Sequence, residues 1–72
     1  KQRIMNVHTN VPGVMRDINK IVSDSNANIS AQMLATDPEI GYLVMDLEQD
    51  VAQAVGNAIG ALSTSIRTRV VA

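Results

Sequence analysis

The sequence predicts an α+β sandwich: a four-stranded antiparallel sheet with two helices on one face. Three observations predict it. Apolar residues alternate with polar ones in four stretches and recur with a helical period in two others, in the order strand, helix, strand, strand, helix, strand. Each helical stretch carries one apolar stripe, which can cover one side of a sheet but not both. Seventy-two residues with 46% apolar content hold one small domain, residues 1–72, and no second one.

The first strand runs from Arg3 to Thr9, with Met5 and Val7 on one face and Ile4, Asn6 and His8 on the other. Asn10-Val11-Pro12-Gly13 breaks the alternation, and a proline there suits the first helical turn because its missing N–H would have no intrahelical partner. From Val14 the period is helical: Val14, Met15, Ile18, Ile21 and Val22 form the stripe, and Arg16, Asp17, Asn19, Lys20, Ser23 and Asp24 a solvated face. Ser25-Asn26-Ala27-Asn28 ends the helix, Asn26 being the residue most tolerant of a left-handed conformation. Alternation resumes over 28–36, with Ile29, Ala31, Met33 and Ala35 on one face and Ser30, Gln32 and Thr36 on the other.

Asp37-Pro38-Glu39 supplies turn chemistry, and the nearly all-apolar stretch 41–47 reads as a central strand paired antiparallel with the one before it. The second helix is expected to start around Gln49-Asp50, with Val51, Ala52, Val55, Ala58, Ile59 and Leu62 as its stripe. A last strand covers 66–71, with Ile66, Thr68 and Val70 opposite Arg67 and Arg69. Right-handed crossovers make this the ferredoxin-like split βαβ arrangement, with first and third strands central. The polar strand positions Asn6, His8, Ser30, Gln32, Thr36, Asp46, Arg67 and Arg69 are expected on the helix-free face. The Gly56-x-x-x-Gly60 ridge is expected to pack closely on the first helix or on a neighbouring subunit.

Composition excludes most chemistries. Without cysteine there are no disulfides and no thiolate metal sites. One aromatic residue, Tyr42, cannot build a stacking face for single-stranded RNA, and six basic against seven acidic residues leave no positive excess for a phosphate backbone. No nucleic-acid partner is expected. The apolar runs fall far short of the roughly 18 residues of a membrane span, so no membrane partner is expected either. The chain opens on Lys1-Gln2-Arg3 without a signal-peptide pattern, which reads as a cytoplasmic domain cut from something longer. Its lean core suggests further burial in a partner.

No catalytic residue is assigned. No serine lies in a nucleophile-elbow sequence, His8 has no carboxylate at a telling spacing, and one histidine makes a poor metal site. His8, Asn10, Pro12 and Gly13 do run from a strand end through a turn into a helix start. Free backbone N–H groups there suit a carboxylate, Gly13 admits a ligand close to the backbone, and Asn10 and His8 add polar groups. That combination suits a small zwitterion better than a nucleotide. It is also compatible with a simple capped helix.

Three stretches together resemble a known family: Val7-His8-Thr9-Asn10-Val11-Pro12-Gly13-Val14, Asn28-Ile29-Ser30-Ala31-Gln32, and Gly41-Tyr42-Leu43-Val44-Met45-Asp46-Leu47-Glu48. They are similar to the ACT domain, and more narrowly to the C-terminal regulatory ACT domain of bacterial D-3-phosphoglycerate dehydrogenases. The resemblance runs from about Arg3 to Val71, with Asn26 standing where the family usually has glycine. It implies an amino-acid sensor that pairs side by side into an eight-stranded sheet and binds L-serine at the interface as a feedback inhibitor. His8 and Asn10 would hold the ligand's polar groups beside the amides of Gly13 and Val14, and Asn28 of a second subunit would close the site. NAD and the dehydrogenase chemistry would belong to the parent enzyme, and the 72 residues themselves would hold no cofactor and be no enzyme. A structural dimerisation module, or a sensor for another amino acid such as glycine, are the alternatives.

Overall fold

The alternating stretches become strands and the two periodic stretches helices in a computed structural model that describes residues 2–48 and 50–71. The elements are β1 (Gln2–Thr9), α1 (Val14–Asp24), β2 (Ile29–Thr36), β3 (Ile40–Leu47), α2 (Ala52–Gly60) and β4 (Ser65–Val71). They form one four-stranded sheet in the order β2-β3-β1-β4, with every neighbouring pair antiparallel. This is the ferredoxin-like arrangement, with β1 and β3 central.

The connections follow from local chemistry. Gly13 caps α1 in the left-handed region (φ 93°), so Pro12 lies just before the helix and not in its first turn. Asn26 takes the left-handed conformation after α1 (φ 55°) and lets the chain turn back to β2. In the β2–β3 hairpin the Asp37 carboxylate accepts the N–H groups of Glu39 (2.8 Å) and Ile40 (2.7 Å), closing the turn. The expected start of α2 at Gln49-Asp50 is corrected: the helix begins at Ala52, and Gln49 lies outside the described residues. Its first turn is held from a distance. Gln2 Oε1 accepts the Ala52 N–H at 3.0 Å, and Gln2 Nε2 donates to Asp50 at 2.7 Å.

The core is built from Ile4, Leu43, Met45 and Leu47 of the central strands against Val14, Ile18 and Val22 of α1 and Ala52, Val55 and Ile59 of α2. Ala58, counted in the apolar stripe, is exposed. Residues directly opposite one another on paired strands share a face, so the register decides which side each one takes. Asn6 lies opposite Thr68 and His8 opposite Gly41, on the same face as Ile4, and both are buried beneath the helices. Gln32 lies opposite Met45 and Thr36 opposite Gly41, also on the helix side. The expectation that Asn6, His8, Gln32 and Thr36 line the helix-free face is therefore overturned. Hydrogen-bond partners for Asn6 and His8 inside the fold, described below, make the reversal affordable.

The helix-free face carries three rows across the sheet: Ala35–Tyr42–Val7–Arg67, Met33–Val44–Met5–Arg69 and Ala31–Asp46–Arg3–Val71. Asp46, Arg67 and Arg69 thus take the expected side. Arg3 makes a two-pronged ion pair with Asp46 (2.7 and 3.1 Å), and Tyr42 stands half exposed.

Small residues decide how α2 seats. A Cβ at Gly56 would overlap Val70, while one at Gly60 would lie 3.5 Å from Thr68 Oγ1. The glycine ridge therefore packs on β4 of its own chain, correcting the expectation of α1. Gly56→Ala should lower unfolding free energy by about 1–3 kcal/mol through overpacking. Gly60→Ala, at an exposed site with ordinary clearance, should be neutral or stabilising by up to about 1 kcal/mol. Urea denaturation of the two variants checks the contrast.

Candidate functional site

The turn between β1 and α1 is laced to the β2–β3 hairpin. Asn10 N–H donates to Glu39 O at 2.9 Å, and the Asn10 side-chain amide donates to Asp37 O at 2.8 Å. That second bond points the amide nitrogen at the hairpin and leaves Oδ1 as the group's accepting face. Beside it, Thr9 N–H donates to Thr64 O at 2.9 Å, so the turn is pinned to both of its neighbours. The first intrahelical bond of α1 runs from Asp17 N–H to Gly13 O. The amides of Gly13 and Val14 precede it, at the positive end of the helix dipole.

His8 stands one strand position behind this turn. It is 2% exposed, with Nδ1 2.9 Å from Asn6 Oδ1. The ring fills the space over Gly41, where a Cβ would overlap it. Burial pushes the His8 pKa below its usual 6.5, so the folded chain favours the neutral ring.

Asn28 is elsewhere. It is exposed and precedes Ile29, which lies opposite Leu47, whereas His8 lies opposite Gly41. Leu47 and Gly41 stand at opposite ends of β3, about 20 Å apart at roughly 3.4 Å per residue. One chain thus brings together His8, Asn10, Gly13 and Val14 and holds Asn28 at the other end of the sheet. Asn6, which touches His8 directly, was not singled out from the sequence as part of this site. Its even spacing from His8 on one strand was the available signal.

An open groove of about 390 Å³ also runs between α2 and β4, lined by Gln53, Asn57, Arg67 and Thr68 among others. Among the described residues no cluster of His, Asp or Glu could hold a metal ion. Among the described residues no helix is long and apolar enough to cross a membrane.

The family profile described as the AHAS small subunit-like ACT domain matches residues 4–67. The chain is an ACT domain. As an ACT domain it is 46% identical over 68 residues to a D-3-phosphoglycerate dehydrogenase of Dictyostelium discoideum, covering 94% of this chain and 16% of that protein. It is 41% identical over 70 residues to the enzyme of the same name from Escherichia coli K12, covering 94% of this chain and 17% of that one. The ACT domain thus spans about one sixth of the length of these relatives. Its fold matches the ACT domain of GTP pyrophosphokinase from Chlorobium tepidum, with a TM-score of 0.83 at 14% identity over 97% of this chain and 95% of that one. It also matches the regulatory subunit of aspartate kinase from Thermus thermophilus, with a TM-score of 0.75 at 11% identity over 99% of this chain and 49% of that one.

Two outcomes follow from the His8 environment. A ring whose pKa falls on folding contributes its stability in full above about pH 6.5 and loses it as pH falls through the folded value. The wild type should therefore lose melting temperature on acidification just below pH 6.5, and His8→Gln should remove that part of the slope. Gly41→Ala should displace the ring and destabilise the ACT domain by about 1–3 kcal/mol, read by chemical denaturation.

Proposed function

We propose that this ACT domain is the regulatory module of a D-3-phosphoglycerate dehydrogenase and binds L-serine between two copies paired side by side. The observation that carries the reading is the place of Asn28 relative to an open sheet edge. All eight residues of β2 are exposed, with apolar Met33 (65%), Leu34 and Ile29 among them. Such an edge is a template for another strand.

Antiparallel pairing of β2 with its own copy about Met33, with the bulge between Ile29 and Ala31 kept, sets Ile29 of one chain against Thr36 of the other. Asn28 of the partner subunit then stands level with Asp37, whose carbonyl already holds Asn10. The two halves of the site, some 20 Å apart in one chain, meet across the pair. His8, Asn10 and the amides of Gly13 and Val14 come from one copy and Asn28 from the other. A ligand touching both copies binds only the paired arrangement and shifts the population toward it.

Coupling of about 1–3 kcal/mol between this interface and a distant active site would suffice for feedback inhibition. The dehydrogenase relatives support a parent enzyme of that activity; a cytoplasmic location and NAD as the parent's cofactor are part of the same proposal. The four glycines of this chain form no dinucleotide-binding loop, so NAD is assigned to other parts of the parent.

Titration calorimetry with L-serine, glycine and L-alanine, run beside analytical ultracentrifugation, tests the proposal. L-serine should bind and raise the dimer fraction. A dimer that takes none of the three would be a structural pairing module, and a preference for glycine would rename the effector. Asn28→Ala should weaken binding about tenfold, the worth of roughly one hydrogen bond, while leaving the dimer in place.

A further inference from the structure

Three polar side chains are buried among the described residues: Asp46, which is paired with Arg3, His8, and Asn6. Asn6 is 1% exposed in the central strand and is hydrogen-bonded to one residue of the proposed ligand site, His8. Its hydrogen bonds fix which way its amide faces. Ser65 has one hydroxyl proton and donates it to Ile59 O at 2.6 Å, so towards Asn6 it can only accept. The carbonyl of Arg67 can only accept as well. Asn6 Nδ2 lies 3.2 Å from Ser65 Oγ, 3.5 Å from Arg67 O and 2.9 Å from Thr68 Oγ1, so the nitrogen faces β4. The oxygen therefore faces His8.

An amide oxygen accepts and never donates, so the 2.9 Å contact requires the hydrogen on His8 Nδ1. A neutral imidazole carries one N–H, and Nε2 is left as a lone pair. We propose that Asn6 is a positioning residue that holds His8 in the Nδ1–H tautomer, so that His8 Nε2 receives an amino-acid ligand through a hydrogen-bond donor, its ammonium or hydroxyl group, and not through its carboxylate. The use of the tautomer rests on the effector reading of the same site; the tautomer itself does not. With the hydrogen held on Nδ1, only the imidazolium could also donate to a carboxylate from Nε2, and burial disfavours that form. The carboxylate is left to the amides at the start of α1, where the helix dipole favours an anion.

His8 is the only histidine, so a long-range proton–nitrogen spectrum of the histidine-labelled chain contains a single ring. At about pH 8, above the ring's titration, the free wild type should give a protonated Nδ1 and an unprotonated Nε2. Asn6→Leu should shift the ring toward Nε2–H, and should weaken L-serine binding about tenfold. On saturation with L-serine the wild-type Nε2 signal should move upfield while the ring stays neutral. Glycine and 3-hydroxypropionate, which lack the hydroxyl and the ammonium respectively, tell which donor reaches it.

An Nε2–H ring in the free wild type overturns the assignment to Asn6, and needs no variant to fold. A ring that becomes imidazolium, or an Nε2 signal that does not respond to bound L-serine, overturns the ligand half. An Nδ1–H ring in a chain that binds no amino acid supports the role of Asn6 and overturns instead the effector reading.

Discussion

A carboxamide in the middle of a sheet, shut off from water, has to place every hydrogen bond inside the protein, and much of this fold is arranged around Asn6. Its nitrogen is met by β4 through Ser65 and Thr68, and its oxygen is met by His8 on its own strand. Ser65 passes the connection on to Ile59 in the last turn of α2. The last strand, the second helix and the imidazole are thereby set in one chain of bonds. The β1–β4 register shifts between Val7 and His8, where this network leaves the sheet ladder. That irregularity sets Ser65 opposite His8 and leaves Ile66 58% exposed.

The order of elements was legible because periodicity is local. Alternation marks strands and a 3.6-residue stripe marks helices, whatever lies across the sheet. The Asn26 turn and the Asp37 hairpin were legible for the same reason, since each is settled by residues within a few positions. Alternation divides a strand into two faces but does not say which face is covered. Asn6 and His8 are assigned to solvent by polarity alone. The bonds that bring them inside come from residues 59 and 62 positions along the chain from Asn6. The room for the ring comes from Gly41, whose missing side chain has no periodicity to betray it. The Gln2 contacts at the start of α2 are equally invisible, spanning 48 and 50 positions.

The proposed site divides in the same way. His8, Asn10, Gly13 and Val14 are neighbours in sequence, and any fold that makes the strand, the turn and the helix keeps them together. Asn28 belongs with them only through the pairing of a second copy, an intermolecular relation that no single-chain pattern encodes. Its motif position came from family resemblance. The sheet register then supplies the distance that makes a second copy necessary for a shared site.

Tyr42, the one aromatic residue, stands 48% exposed in the outer row of the helix-free face, with Val7 and Ala35 as its cross-strand neighbours. Everything beneath the helices is aliphatic apart from the imidazole and a few polar groups, so the interior is dark to near-ultraviolet light. Tyrosine emission and near-ultraviolet dichroism of this domain report on the bare side of the sheet. A loosened interior under an intact sheet would leave both signals almost untouched, and a binding event on the sheet's open side would change them with the interior unmoved.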